Sequence, residues 1–436
     1  MNMTMNNFKK RRSQVLQQLG NAGIAIVISN KEPPQPYAPT PFKQISDFYY
    51  LTGFNEPESI LVLAPGRPQG EYVLFCREHK PEEEVWTGYR AGQEGACKIY
   101  GSDQAFPISA FEDMLSDLLA DREAIYTNFG HDLQQEAIIM DTINQMRARR
   151  RIGINPPTDM IHIGKITHEM RVHKDEEELA LMKKAADISV NAQLRAMKTC
   201  RPGLYEYELE AEIMYEYRKS DSFPAFEIIV GGGINACTLH YVEKKSILKD
   251  RELVLIDAGA EYKHYSSDIT RTLPINGRFT DEQKAIYQAV LDTQLTLIAQ
   301  VRPGITWMEL QLLSERTITE KLLNLGILHG NLENLISEKA CKQFYMHNFG
   351  HMLGLDNHDA GVYKINNEWR KFAAGMTHTI EPGIYIGANV PNVDAKWWGI
   401  GVRIEDDVVV TENGCEVLTK ALPKTVADIE KLMAGN

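Results

Sequence analysis

The chain has 436 residues, 43% hydrophobic and 24% charged, with a formal net charge of −12. That length exceeds what one ordinary core supports, so two domains are expected, and the composition excludes a disordered or fibrous chain. The acidic balance speaks against phosphate backbones or anionic lipid as ligands, because such binding rests on Lys and Arg neutralising phosphate, and it leaves small or peptidic partners.

Taken in chain order, the N-terminus carries Lys9, Lys10, Arg11 and Arg12, but no continuous apolar run or small-residue cleavage site follows, so no secretory signal is expected. No stretch reaches the roughly 18 apolar residues of a membrane span. Helical spacing near 8–19 and 111–119, with β-branched apolar runs at 22–29, 59–64, 71–76 and 124–127, suits an α/β domain. Near residue 170 the character changes. Arg171-Val172-His173-Lys174-Asp175-Glu176-Glu177-Glu178-Leu179 opens a helical pattern that continues through Met197, and a domain boundary is expected there. Thr280 with Gln283, and Thr306 with Glu309, have the spacing of capping boxes that open two further helices. Strand-like runs follow at 252–258, 265–273, 377–386 and 402–410. The six cysteines are scattered, without a CxxC pair, and are expected as reduced thiols in a cytoplasm. There is no tandem repeat or low-complexity segment.

The strand-like runs carry acids where acids are costly. Asp257 ends the apolar run Leu253-Val254-Leu255-Ile256; alone it reads equally well as a turn residue. Asp268 stands in a second run able to pair back with the first as a hairpin, and two carboxylates on adjacent strands need a proton or a cation between them. His347 and His351 lie four apart, but Gly350 and Gly354 argue against a long helix through them. Glu381 and Glu405 are further acids set among apolar residues, and each alone is better explained by a surface or a salt bridge. Together, Asp257, Asp268, His351, Glu381 and Glu405 supply four carboxylates and one imidazole, a charge that balances two divalent cations. Oxygen-dominated ligation favours Mn²⁺, with Co²⁺ or Zn²⁺ able to take its place, and a metal pair roughly 3.5–4 Å apart suits hydrolysis.

The order Asp, Asp, His, Glu, Glu resembles the pita-bread metallopeptidases, which include methionine aminopeptidases, prolidases and aminopeptidase P. The motifs are Ile256-Asp257-Ala258-Gly259, Ser267-Asp268-Ile269-Thr270-Arg271-Thr272, His347-x-x-Gly350-His351, Glu381-Pro382-Gly383 and Arg403-Ile404-Glu405-Asp406. Outside them, Ser46-Asp47-Phe48-Tyr49-Tyr50-Leu51-Thr52-Gly53-Phe54, Leu239-His240-Tyr241 and His358-Asp359-x-Gly361-Val362-Tyr363 resemble the aminopeptidase P branch. The resemblance implies an α+β chain: a smaller α/β creatinase-type N-terminal domain over 1–171, then a pita-bread catalytic domain over 172–436. It implies Asp257 on one metal, His351 and Glu381 on the other, Asp268 and Glu405 bridging, and a bridging hydroxide as nucleophile in cleavage of an N-terminal Xaa-Pro bond. Glu381 would shuttle the proton, and His240 and His358 would contact the scissile amide. His347 and Tyr363 would line the substrate pocket, and Arg403 would hold a ligand carboxylate. A homodimer or homotetramer is implied as well.

Two departures stand out. Asn348-Phe349 replaces the family's usual His-Gly-Leu continuation, and the proline-rich loop 31–41 replaces an acidic one. Trp86 is a candidate cap over the site from the N-terminal domain, set against the plainer reading of a tryptophan without function. The alternatives are a prolidase, which shares the ligands, and a non-catalytic pita-bread module, whose kind has lost them.

Overall fold

In the computed structural model, residues 3–32 and 42–435 are described; most of the loop 31–41 therefore lies outside the described residues. The chain divides into two compact units, Met1–Met170 and Arg171–Asn436.

In the first unit, β1 (Gly23–Ile28), β2 (Ile60–Leu63), β3 (Tyr72–Cys76), β4 (Gln104–Pro107), β5 (Ala124–Thr127) and β6 (Asp159–His162) form one sheet in the order β4-β3-β2-β1-β5-β6. Pairing is antiparallel from β1 through β3 and parallel elsewhere. β1, β2 and β3 are buried along their whole length, as continuous apolar runs require, and Ile24, Ile26, Val62 and Phe75 pack with Phe111 and Leu115 of the helix Phe111–Leu119. Trp86 is exposed on the helix Pro81–Thr87.

The second unit opens with the helix Glu176–Thr199, whose capping box pairs Asp175 with Glu178. Capping boxes also start the helices Asp281–Gln300 and Trp307–Asn324, at Thr280 and Thr306. These helices lay Ile188, Ile286, Val290, Ile318 and Leu322 into the largest apolar core, beside the strand residues Val254, Ile256, Leu273 and Val402.

Each of three runs expected as a single strand is interrupted. The 265–273 run is Tyr265–Ser266 and Thr270–Pro274; the 377–386 run is Thr377–Ile380 and Gly383–Ile386; the 402–410 run is Ile400–Arg403 and Asp406–Val410. The last two runs form one antiparallel hairpin, in which Ile380 pairs with Asp406 and Gly383 with Arg403. Residues 381–382 and 404–405 therefore leave the ladder at the same level. Pro382 explains the breach, since it has no N–H to give. Ile404 N still reaches Pro382 O at 3.4 Å, and the outward-facing amides of Glu381 and Glu405 bond Phe349 O at 2.7 Å and Thr270 O at 3.1 Å.

Candidate metal centre

The strands Leu253–Asp257 and Thr270–Pro274 pair antiparallel with Thr270 opposite Asp257, leaving Asp268 just outside the ladder. Gly259 makes the close approach possible: a Cβ there would fall 1.7 Å from the Ser267 carbonyl oxygen. The backbone N of Asp268 donates to both carboxylate oxygens of Asp407 at 3.1 Å, and the Asn357 amide donates to Asp268 Oδ2 at 3.0 Å. Only Oδ1 is left over.

His351 arrives on an irregular segment rather than a helix, as its glycines suggested. Its Nδ1 lies 3.0 Å from the Met352 carbonyl, so Nδ1 carries the hydrogen and Nε2 presents a lone pair. That Nε2 is 3.4 Å from Asp268 Oδ2 and 3.8 Å from Glu381 Oε1. Ligand atoms of Asp268, His351 and Glu405 all lie within 4.8 Å of one another, an arrangement able to hold a metal ion. Asp257 and Glu381 face the same cavity of about 800 Å³.

The electrostatics of this cluster are unfavourable without a cation. Burial, and then the neighbouring Asp257, Asp407 and Glu381, push the Asp268 carboxyl well above the carboxylate range; burial, Asp268, Glu381 and Asp257 do the same to Glu405. Burial raises Glu381 too, against His351 and Arg403. Asp257 Oδ1 and Asp268 Oδ1 are buried with no hydrogen-bond partner. Orphaned carboxylate oxygens beside mutually repelling acids are what metal ligation would satisfy, and the residues present therefore fit cations.

The consecutive acids Glu405-Asp406-Asp407 have three different destinations. Glu405 faces the cavity and accepts from Thr270 Oγ1 at 2.7 Å. Asp406 is buried against Arg271 at 2.7 Å and Lys424 at 2.7 Å, and these cations outweigh burial to hold its carboxyl low. Asp407 holds the Asp268 backbone, and burial lifts its carboxyl to about 7.

Arg403, buried, donates to Asp257 Oδ2 at 2.6 Å and to the Tyr385 hydroxyl at 2.9 Å. The same hydroxyl is 2.8 Å from His347 Nε2. Burial and Arg403 drive the His347 pKa down to about 3, so this ring is neutral at physiological pH. His240 and His358 are exposed at the cavity, and Tyr363, Trp307, Met308 and Trp369 line an apolar side of it. Burial and the rings of His351 and His240 lower the His358 pKa. Asn348 lines the cavity, whereas Phe349 is buried against Trp307.

All ten residues singled out from the sequence, Asp257, Asp268, His351, Glu381, Glu405, His240, His347, His358, Tyr363 and Arg403, thus border one cavity. Asn357, Tyr385, Asp407 and the Thr270 hydroxyl were missed as contributors. Only Thr270 stood inside a quoted motif; a neutral amide and a strand tyrosine give no signal of their own.

The sequence pattern of metallopeptidase family M24 matches residues 180–412, more than half of the chain. The chain belongs to metallopeptidase family M24. The aminopeptidase P N-terminal domain matches residues 8–126 of this M24 chain. Its relatives include the Xaa-Pro aminopeptidase of Escherichia coli, 39% identical over 431 residues that cover 98% of this chain and 97% of the relative. The structure of Pseudomonas aeruginosa aminopeptidase PepP superposes with a TM-score of 0.96 at 47% identity, covering 100% of this chain and 99% of that one. E. coli aminopeptidase P with the inhibitor Pro-Leu superposes with a TM-score of 0.95 at 38% identity, covering 100% and 99%. The expected fold class holds for this M24 metallopeptidase: an aminopeptidase P-type N-terminal domain followed by a pita-bread domain. Among the described residues, no helix is long and apolar enough to cross a membrane.

Proposed function

We propose that this M24 chain is an Xaa-Pro aminopeptidase, removing the N-terminal residue that precedes a proline at the second position of a peptide, with two divalent cations, in the first place Mn²⁺, with Co²⁺ or Zn²⁺ able to substitute. The observation that carries this reading is the convergence of Asp257, Asp268, His351, Glu381 and Glu405 on one cavity with two orphaned, buried carboxylate oxygens. Asp257 would hold one cation, His351 and Glu381 the other, and Asp268 and Glu405 both. When bound, the cations supply acidification of a water and polarisation of a peptide carbonyl.

The chain's own groups do the rest. Glu381, at the edge of the cavity, would take the proton released from the attacking water and return it to the departing amine. His240 and His358 stand at the open side as hydrogen-bond donors toward the scissile amide. Neutral His347, fixed between the Asn348 carbonyl and Tyr385, is a rigid pocket wall, and Arg403 orients Asp257 by its hydrogen bond to Oδ2. Tyr363 stacks edge-on against Trp307 and offers a flat apolar wall to a proline ring. The six free cysteines agree with a reducing cytoplasm, and the family resemblance with a homodimer or homotetramer.

The test compares an Xaa-Pro dipeptide with an Xaa-Pro-Xaa tripeptide in the presence of Mn²⁺. Turnover of the tripeptide is expected. Cleavage of the dipeptide alone would make the chain a prolidase, and binding without cleavage would make it a non-catalytic module.

A further inference from the structure

The segment Arg171 to Glu178 is conspicuous in the sequence for its charges. Its first cations are not on the surface. The side chains of Lys174 and Arg171 are only 2% and 3% exposed, and both reach Asp359, whose side chain is 1% exposed. Lys174 Nζ donates to Asp359 Oδ2 at 2.9 Å, and Arg171 Nη2 is shared between Asp359 Oδ1 and, at 2.6 Å, Asp356 Oδ2. Two cations meet two carboxylates. Burying such a set contributes little net stability over an apolar packing of the same volume, so its use is better sought in the geometry it fixes.

What it fixes is a bent loop with neither helix nor strand, running from Gly354 to His358 and closing on Asp359. The loop wraps tightly around the ion set: a Cβ on Gly354 would lie 2.2 Å from Asp359 Oδ2 and 2.9 Å from Lys174 Cε. Two residues of this loop reach the metal centre. Asn357 donates to Asp268 Oδ2 at 3.0 Å, and the ring of His358 lies 4.1 Å from that of His351. At the other end the segment is itself anchored. Lys174 N bonds Gly375 O at 2.9 Å, Asp175 and Glu178 close their capping box, and Glu178 accepts from the buried Tyr265 hydroxyl at 2.9 Å.

We infer that Lys174 and Arg171 are positioning residues for the reaction: by clamping Asp359 they hold Asn357 on Asp268 and His358 at the substrate side of the cavity. The clamp touches neither metal ligands nor substrate and acts only through the loop. The inference rests on the proposed function for the role of His358, and on Asp268 as a metal ligand for the role of Asn357.

Lys174→Met keeps the aliphatic stem and removes the charge. The measurements are Mn²⁺ affinity of the stripped full-length protein by isothermal titration, and kcat and KM on an Xaa-Pro-Xaa tripeptide, for wild type, Lys174→Met, His358→Ala and the double variant. Loss of an outer-sphere partner costs about 10–100-fold in metal affinity or activity, so Lys174→Met is expected to lower Mn²⁺ affinity and kcat each by about tenfold with little change in KM. In the His358→Ala background its effect on kcat is expected to shrink to about threefold or less, because the group it positions is gone. Affinity and kcat equal to wild type would overturn the inference, as would a kcat loss undiminished in the His358→Ala background. Should Lys174→Met not fold, Arg171→Gln, which leaves the Lys174–Asp359 pair in place, is measured by the same cycle with the same two outcomes. If wild type cleaves no Xaa-Pro peptide, the proposed function falls, while the Mn²⁺ titration still decides whether the clamp supports Asp268.

Discussion

Glu405→Gln is expected to move stability and activity in opposite directions. Glu405 is 1% exposed and accepts one hydrogen bond, from Thr270 Oγ1, which a glutamine amide oxygen can also accept. The change therefore removes a charge and little else. In metal-free protein that charge is poorly compensated, since burial, Asp268, Glu381 and Asp257 raise the Glu405 carboxyl and outweigh Arg403. An uncompensated buried charge costs about 3–5 kcal/mol. A domain of this size shifts by about 2 °C per kcal/mol, so metal-free Glu405→Gln should melt roughly 6–10 °C above metal-free wild type. The pH dependence has a definite sign. A carboxyl raised in the folded state costs stability once the unfolded carboxyl has ionised, so the penalty is absent in acid and grows from about pH 4.5 up to the folded pKa, above which it is constant. The advantage of the variant should thus widen as pH rises from about 5 through neutrality. Saturating Mn²⁺ reverses the order: at about 1,000 times its dissociation constant a ligand adds roughly 4 kcal/mol, and the variant, lacking a ligand, forgoes much of that gain and its turnover. Calorimetric melts of chelator-treated and Mn²⁺-loaded protein across that pH range decide the matter. A metal-free variant that melts below wild type, or a difference that narrows with rising pH, would refute the reasoning.

His351→Ala should leave the circular dichroism spectrum unchanged while turnover falls by about 10³-fold, the loss of roughly 4 kcal/mol of transition-state stabilisation. Arg403→Met leaves Asp257 Oδ2 and the Tyr385 hydroxyl without their buried donor and should cost about 3–5 kcal/mol in urea unfolding, together with weaker Mn²⁺ binding by titration. His378 is buried among Trp307, Phe349 and Phe372, and burial lowers its pKa to about 4. The unfolded chain therefore binds a proton before the folded one does, and stability present above about pH 6.5 is lost as pH falls toward 4. His378→Phe should flatten that acid-side loss, worth about 2–3 kcal/mol, in urea midpoints taken at neutral and acid pH.

The legible part of the site is the part that violates a rule. Asp257, Asp268, Glu381 and Glu405 stand where apolar patterning predicts burial, and a buried acid demands an explanation whatever the fold. The helix starts were readable for the same local reason, because Thr280 and Thr306 satisfy their own first-turn donors. The supporting residues were not readable. Asn357 reaches Asp268 across 89 positions of sequence, and Arg271 reaches Asp406 across 135, so no window of the chain contains both partners. Nor could the three consecutive acids 405–407 be assigned separate tasks, since alternation says which side of a strand each faces and nothing about what waits there.

The interrupted strands, which the apolar pattern had run together, account for how distant ligands come to share one cavity. Along this hairpin the amides alternate: Ile404 N faces the partner strand and reaches Pro382 O, whereas those of Thr379, Glu381 and Tyr385 face outward, to the carbonyls of His351, Phe349 and Phe344. Pro382 was visible in the run 377–386 and should have demoted it. On that outer side Glu381 N bonds the carbonyl of Phe349, two residues before His351, and Glu405 N bonds the carbonyl of Thr270, two residues after Asp268. The outer edges of one hairpin thus bond directly to two of the other segments that carry ligands. Thr270 completes the connection by lying opposite Asp257 in its own ladder while its hydroxyl donates to Glu405. These main-chain hydrogen bonds are therefore what brings the ligand-bearing segments to one place, and the cost of crowding four acids there is one that cations can offset.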